Sequence, residues 1–144
     1  MTTRNFALIA GIAYLAAGIL GFVPPLLFAP PGDAPGLTIT AFYGYLLGLF
    51  PVNLTHNLVH LAIGAWGIAA ARSMAGARMY SRTLAILYGV LAVMGLIPGM
   101  GTLFGLAPIH GHDVWLHALT AIAAAYFGWM HTSADVPARK AIVH

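Results

Sequence analysis

Apolar residues fill the chain in long runs, and polar positions collect in the short stretches between them. A helix needs about 20 apolar residues to cross a bilayer. Four runs meet that length: roughly 6–28, 52–71, 83–104 and 114–131. A fifth, LTITAFYGYLLGLF over 37–50, is too short to span comfortably and stops at Pro51, so it reads as an interfacial or re-entrant helix in the first outer loop. The first run follows Arg4 and is long for the core of a secretory signal, so it is expected to be retained. The pattern predicts an all-α membrane protein: one transmembrane domain over 1–144, built as a four-helix bundle.

The runs also resemble one another in pairs. YLAAGILGFVP (14–24) matches YGVLAVMGLIP (88–98), with tyrosine and proline at both ends and Gly21 on Gly95. The offset is 74 (Tyr14 to Tyr88), and at the same offset Arg4 meets Arg78 and Phe6 meets Tyr80. The second and fourth runs match at an offset of 57, which sets His60 on His117 and His56 on Asp113. The difference of 17 residues falls in the first outer loop, where the fifth apolar run lies. The chain therefore reads as two diverged helical hairpins.

Composition narrows the chemistry. Hydrophobic residues make up 60% of the chain and charged residues 6%, with a mean hydropathy of +0.88, which is membrane-like. There is no cysteine, which excludes disulfides, thiolate metal sites and iron–sulfur clusters. There is no glutamate, which excludes HExxH zinc sites and glutamate-based di-iron bundles. The only lysine is Lys140, so no buried lysine is offered for a Schiff base. The net charge of +3 comes from scattered residues and gives no nucleic-acid footprint. Arg4, Arg72, Arg78, Arg82, Arg139 and Lys140 all fall on one side of the four-span arrangement. The positive-inside rule then puts both termini in the cytoplasm.

On the opposite, extracytoplasmic side the histidines collect. NLTHNLVHL (53–61) and HGHDVWLHAL (110–119) each place two ligand-type residues four positions apart, one helical turn on a single face. Ionisable groups within a membrane are costly and mark function. If the hairpins face each other, His56, His60, Asp113 and His117 converge as three imidazoles and a carboxylate, a tetrahedral set in number and type. The repeat makes His60 and His117 the expected primary ligands, with His56 and Asp113 completing or tuning the site. Asn57, His110 and His112 are outer contributors, although interfacial rings are the simpler reading for the last two. His131 and His144 read as solvated.

Zinc, copper or iron suits such a set. Axial ligation of haem or a chlorophyll-type macrocycle by His60 and His117 is the alternative, but Gly64, Gly67, Ala69, Ala70, Ala123 and Ala124 favour close packing over a wide slot. A purely structural or interaction subunit, or a proton or transport pathway, needs no metal. Catalysis is not the favoured reading, because four donors would close a zinc site. The expected partners are the bilayer, other membrane subunits of a larger assembly or further copies of the chain.

FPVNLTHNLVHLAIGAWGIAAARS, LIPGMGTLFGLAPIHGHDVWLH and the later AYFGW resemble an uncharacterised bacterial four-helix membrane protein family, domain of unknown function 4383. The resemblance runs over roughly 6–130. It implies a four-span inner-membrane protein with the pattern Asn53, His56, Asn57, His60, Asp113 and His117, and it implies no activity.

Overall fold

The computed structural model describes residues 1–131. Within them the chain is mostly helical. Helix α1 (Thr3–Leu20) starts at Thr2, whose hydroxyl accepts the Asn5 N–H at 3.2 Å. It ends at Gly21, before a short 3₁₀ turn at Pro24–Leu26. Helix α2 (Leu54–Ala70) is capped by Asn53 and helix α3 (Met74–Leu96) by Ser73. Pro98 forces the chain out of α3, because the residue before a proline is pushed away from helical geometry. Helix α4 (His112–Ala125) continues into a π-helical turn at Tyr126–Met130, closed by the His131 N–H on the Tyr126 carbonyl at 2.8 Å. Arg139, Lys140 and His144 lie outside the described residues.

Residues 37–50 are not helical, contrary to the expected interfacial helix. They lead into a three-stranded antiparallel sheet of β1 (Leu27–Phe28), β2 (Gly44–Leu46) and β3 (Phe50–Val52). Leu27 pairs with Leu46, and Tyr45 pairs with both Phe28 and Pro51. The reversal between β2 and β3 needs left-handed backbone at Leu47 (φ 55°) and Gly48 (φ 74°), which no helix accepts. The first and third apolar runs are likewise shorter as helices than predicted. Residues 27–28 are strand, and 97–104 form turns with positive φ at Gly99, Leu103 and Phe104. The apolar composition in these places serves loops folded over the end of the bundle.

Helix α1 packs mainly on α2, and α3 mainly on α4, whereas α1 and α4 barely touch. Glycines make the first seam close. A Cβ on Gly64 would lie 2.5 Å from the Leu15 nitrogen and 2.8 Å from the Gly11 carbonyl oxygen. Between the hairpins the core holds Phe6, Ala7, Ile63, Tyr80, Leu84, Tyr88 and Ala124. At the end away from the sheet, Arg4 Nε donates to the Ala71 carbonyl and Arg82 Nε to the Gly128 carbonyl, both at 2.8 Å, meeting carbonyls at the ends of α2 and α4.

Helices α1 and α3 are long and apolar enough to cross a membrane by length and composition. Helix α2 has 17 residues and α4 has 14, so both are shorter. Large apolar side chains such as Ile9, Ile12, Ile86, Val93 and Ile122 face outward.

Candidate metal centre

The sheet end of the bundle is tied together by Asn53. This fully buried side chain caps α2 by accepting the His56 N–H at 3.0 Å, and its amide donates to the carbonyls of Ile39 and Leu106, each at 2.9 Å. One residue therefore sets the start of α2 against two loops from distant parts of the chain. Asn57, one turn along, donates to the Gly21 carbonyl and joins the end of α1 to α2. Asn57 thus serves the helix seam and lies outside the ligand group, and its Oδ1 is buried without a partner.

His56 occupies the first turn of α2 beneath these loops. Its Nδ1 lies 3.0 Å from the Pro108 carbonyl oxygen. A carbonyl only accepts, so Nδ1 carries the proton and Nε2 presents the lone pair. That tautomer control by a backbone carbonyl is typical of ligating histidines. His56 Nε2 sits 3.1 Å from His60 Nε2, with the two rings edge to face. Asp113 Oδ2 is 3.7 Å from His56 Nδ1, too far for a hydrogen bond, and the Nδ1 proton is already directed at Pro108.

Ligand atoms of His56, Asp113 and His117 all lie within 4.8 Å of one another, and all three residues are buried. Asp113 is only 2% exposed. Its Oδ2, His117 Nδ1 and His60 Nδ1 are buried with no hydrogen-bond partner. Unsatisfied polar atoms of this kind are costly, each about 1–3 kcal/mol, and Asp113 and His117 carry theirs within the one converging group. The compact group is His56, Asp113 and His117. His60 joins it through His56.

Two tyrosines close the inner side of the group. Tyr14 meets the His60 ring at 5.1 Å and 65°, and Tyr88 meets the His117 ring at 4.9 Å and 67°. Tyr14 and Tyr88 touch each other at 5.2 Å, and the Tyr14 hydroxyl donates to Thr120 Oγ1 at 3.2 Å. The match of Tyr14 with Tyr88 was visible in the sequence, but their place against the histidines was not drawn from it.

The outer histidines stand apart from the group. His112 is exposed, and its Nδ1 accepts from Trp115 Nε1 at 2.9 Å. His110 lies half-buried 6.4 Å from the Tyr45 ring, and burial holds its imidazole below the ordinary range. His131, expected to be solvated, is partly buried against Phe127 and Tyr126.

No curated protein and no solved structure matches the chain. The family model described as Domain of unknown function (DUF4383) matches residues 4–130, nearly all the described residues. The chain belongs to that family.

Proposed function

We propose that this chain is a multi-pass bacterial inner-membrane protein that binds one transition-metal ion near its extracytoplasmic face, through His56, Asp113 and His117 with His60 alongside. The observation that carries this reading is the buried two-histidine, one-carboxylate group whose Asp113 Oδ2 and His117 Nδ1 have no hydrogen-bond partner. Two imidazoles and a carboxylate suit zinc or ferrous iron, and copper accepts the imidazoles. The 3.1 Å between the Nε2 atoms of His56 and His60 matches the about 2.9–3.4 Å separating two nitrogens that share an ion at 2.0–2.1 Å.

A bare ion fits better than a macrocycle. The cavities beside the histidines measure about 270 and 180 Å³. Both fall below the roughly 300–1,000 Å³ of pockets that take drug-sized ligands, and a porphyrin plate needs more.

Membrane placement is supported by α1 and α3 together with the outward apolar side chains of all four helices, a surface that water would not tolerate at this extent. In this reading α2 and α4 cross as well, with the π-helical turn lengthening α4. The two hairpins descend from one duplicated unit, a view favoured by the equal Tyr14–His60 and Tyr88–His117 geometries at the matched offsets. Arg4, Arg72, Arg78 and Arg82 make the end away from the sheet cytoplasmic. A role as a small metal-carrying subunit of a larger membrane assembly fits this architecture. Elemental analysis and an absorption spectrum of the purified protein test the proposal: metal without a Soret band is expected, and a Soret band would replace the ion with haem.

A further inference from the structure

At the end away from the sheet the two hairpins differ. Ala71 and Gly128 correspond at the offset of 57, and each carbonyl accepts from an arginine Nε at 2.8 Å. The arginines themselves do not correspond. Arg4 matches Arg78, but Gly128 is met by Arg82, one helical turn further on. The Arg82 guanidinium also lies over the Trp129 ring, 5.6 Å from its centre, a cation–π contact that engages its charge. Among the described residues Arg4 makes no polar or aromatic contact beyond its bond to Ala71, and Arg72 and Arg78 make no hydrogen bond or ion pair.

Arg4 instead borders an open groove of about 580 Å³, within the roughly 300–1,000 Å³ of small-molecule pockets. Thr2, Arg4, Asn5 and Leu8 line it from the start of α1, and Ala71 and Met74 from the α2–α3 turn. With Nε engaged by Ala71, the four N–H groups on the two Nη atoms of Arg4 have no protein partner. Arg72 follows Ala71 directly, and Arg78 lies one turn beyond Met74 on the same helix face. No described carboxylate balances these charges. Asp33 lies between β1 and β2 and Asp113 in the first turn of α4, both at the sheet end, and Asp135 lies outside the described residues. Leu8 and Ile12, one turn apart and both exposed, continue the groove onto the apolar flank of α1.

The occupant must match both parts of this groove. A planar guanidinium with two free Nη donors suits bidentate pairing with a phosphate. Free phosphate would leave Leu8 and Ile12 uncovered. A zwitterionic head would bring an ammonium into a site that is already basic and holds no carboxylate to meet it. We propose that the groove binds an anionic phospholipid, with its phosphodiester on Arg4 and Asn5 and one acyl chain along Leu8 and Ile12. Basic pockets between membrane helices on the cytoplasmic side recruit such heads. This inference rests on the membrane reading above and is independent of the metal.

The test uses the full chain in a neutral detergent, with lipid binding followed by native mass spectrometry. Phosphatidylglycerol is compared with phosphatidylcholine carrying the same acyl chains. Phosphatidylglycerol should bind saturably and about tenfold or more tightly, the scale of one charge-assisted hydrogen bond. Arg4→Gln should remove that preference. Arg82→Gln should keep it, because Arg82 serves the other hairpin. If Arg4→Gln fails to fold, Asn5→Asp carries the same expectation, since it sets a carboxylate in the groove and leaves the Arg4–Ala71 bond in place. Equal binding of the two lipids, or equal loss in Arg4→Gln and Arg82→Gln, overturns the inference and leaves the membrane reading standing. Displacement of the lipid by inorganic phosphate at matched concentration also overturns it, because the groove would then be a plain anion site. A chain that stays dispersed in buffer without detergent overturns the membrane reading itself, and this inference with it.

Discussion

The Nε2 atoms of His56 and His60 lie 3.1 Å apart, and the Pro108 carbonyl fixes which ring nitrogen of His56 is free. His56 is thus the common neighbour of His60, Asp113 and Pro108. His56→Ala should abolish bound metal, while His60→Ala should leave a weakened site in which His56, Asp113 and His117 remain. Metal content of the two variants, measured after identical purification, checks the ranking. Equal loss in both would make His60 an obligatory ligand.

Asp113→Asn keeps the side-chain shape and removes its charge. A fall of about 10–100-fold in metal affinity is expected if Asp113 orients a ligating imidazole, and complete loss if it binds the ion directly. Competition with a chelator of known affinity separates the two. An affinity equal to wild type would exclude Asp113 from the site.

Asn53→Ala removes a helix cap worth about 1 kcal/mol and two further buried hydrogen bonds worth about 1 kcal/mol each. Thermal or denaturant unfolding in a fixed detergent should register a loss of roughly 2–4 kcal/mol. Metal affinity should fall with it, because the His56 backbone loses its anchor.

Gly64→Ala puts a Cβ against backbone of α1 on two sides, at Leu15 and Gly11. The helices must separate, at a cost of about 1–3 kcal/mol. Ala123→Gly, at a half-buried site in α4, should cost no more than the ordinary helix penalty of about 1 kcal/mol. Unfolding midpoints of the pair test whether the α1–α2 seam is as tight as its glycines imply.

The absence of cysteine makes topology simple to probe. A cysteine at Gly32, where nothing approaches a new side chain, should react with an impermeant thiol reagent applied to the periplasmic side. One at exposed Arg72 should stay protected until the membrane is opened. The reverse pattern would put the histidines on the cytoplasmic face.

The four helices were legible in the sequence because four apolar runs are long enough to form them, although Pro98 stops α3 inside its run. The i, i+4 spacing of His56 with His60 and of Asp113 with His117 was legible for the same local reason. What could not be read were features made by distant partners. LTITAFYGYLLGLF looked helical by composition, yet Tyr45 pairs with Phe28 and Pro51, and the reversal at Leu47–Gly48 follows from that pairing. The central place of His56 rests on the Pro108 carbonyl, 52 residues away in sequence, and Asn53 reaches Leu106 at a separation of 53. No local pattern announces such contacts.

The most direct test of the metal site is the number of zinc, copper and iron atoms per chain in protein purified without added metal or affinity-tag metal. The His/Asp site predicts close to one ion per chain in wild type and close to none in His56→Ala and in His117→Ala, with both variants still folded. Wild-type protein that carries no metal and takes up none when offered, or variants that keep full occupancy, would contradict it and leave the histidines as a hydrogen-bonded cluster.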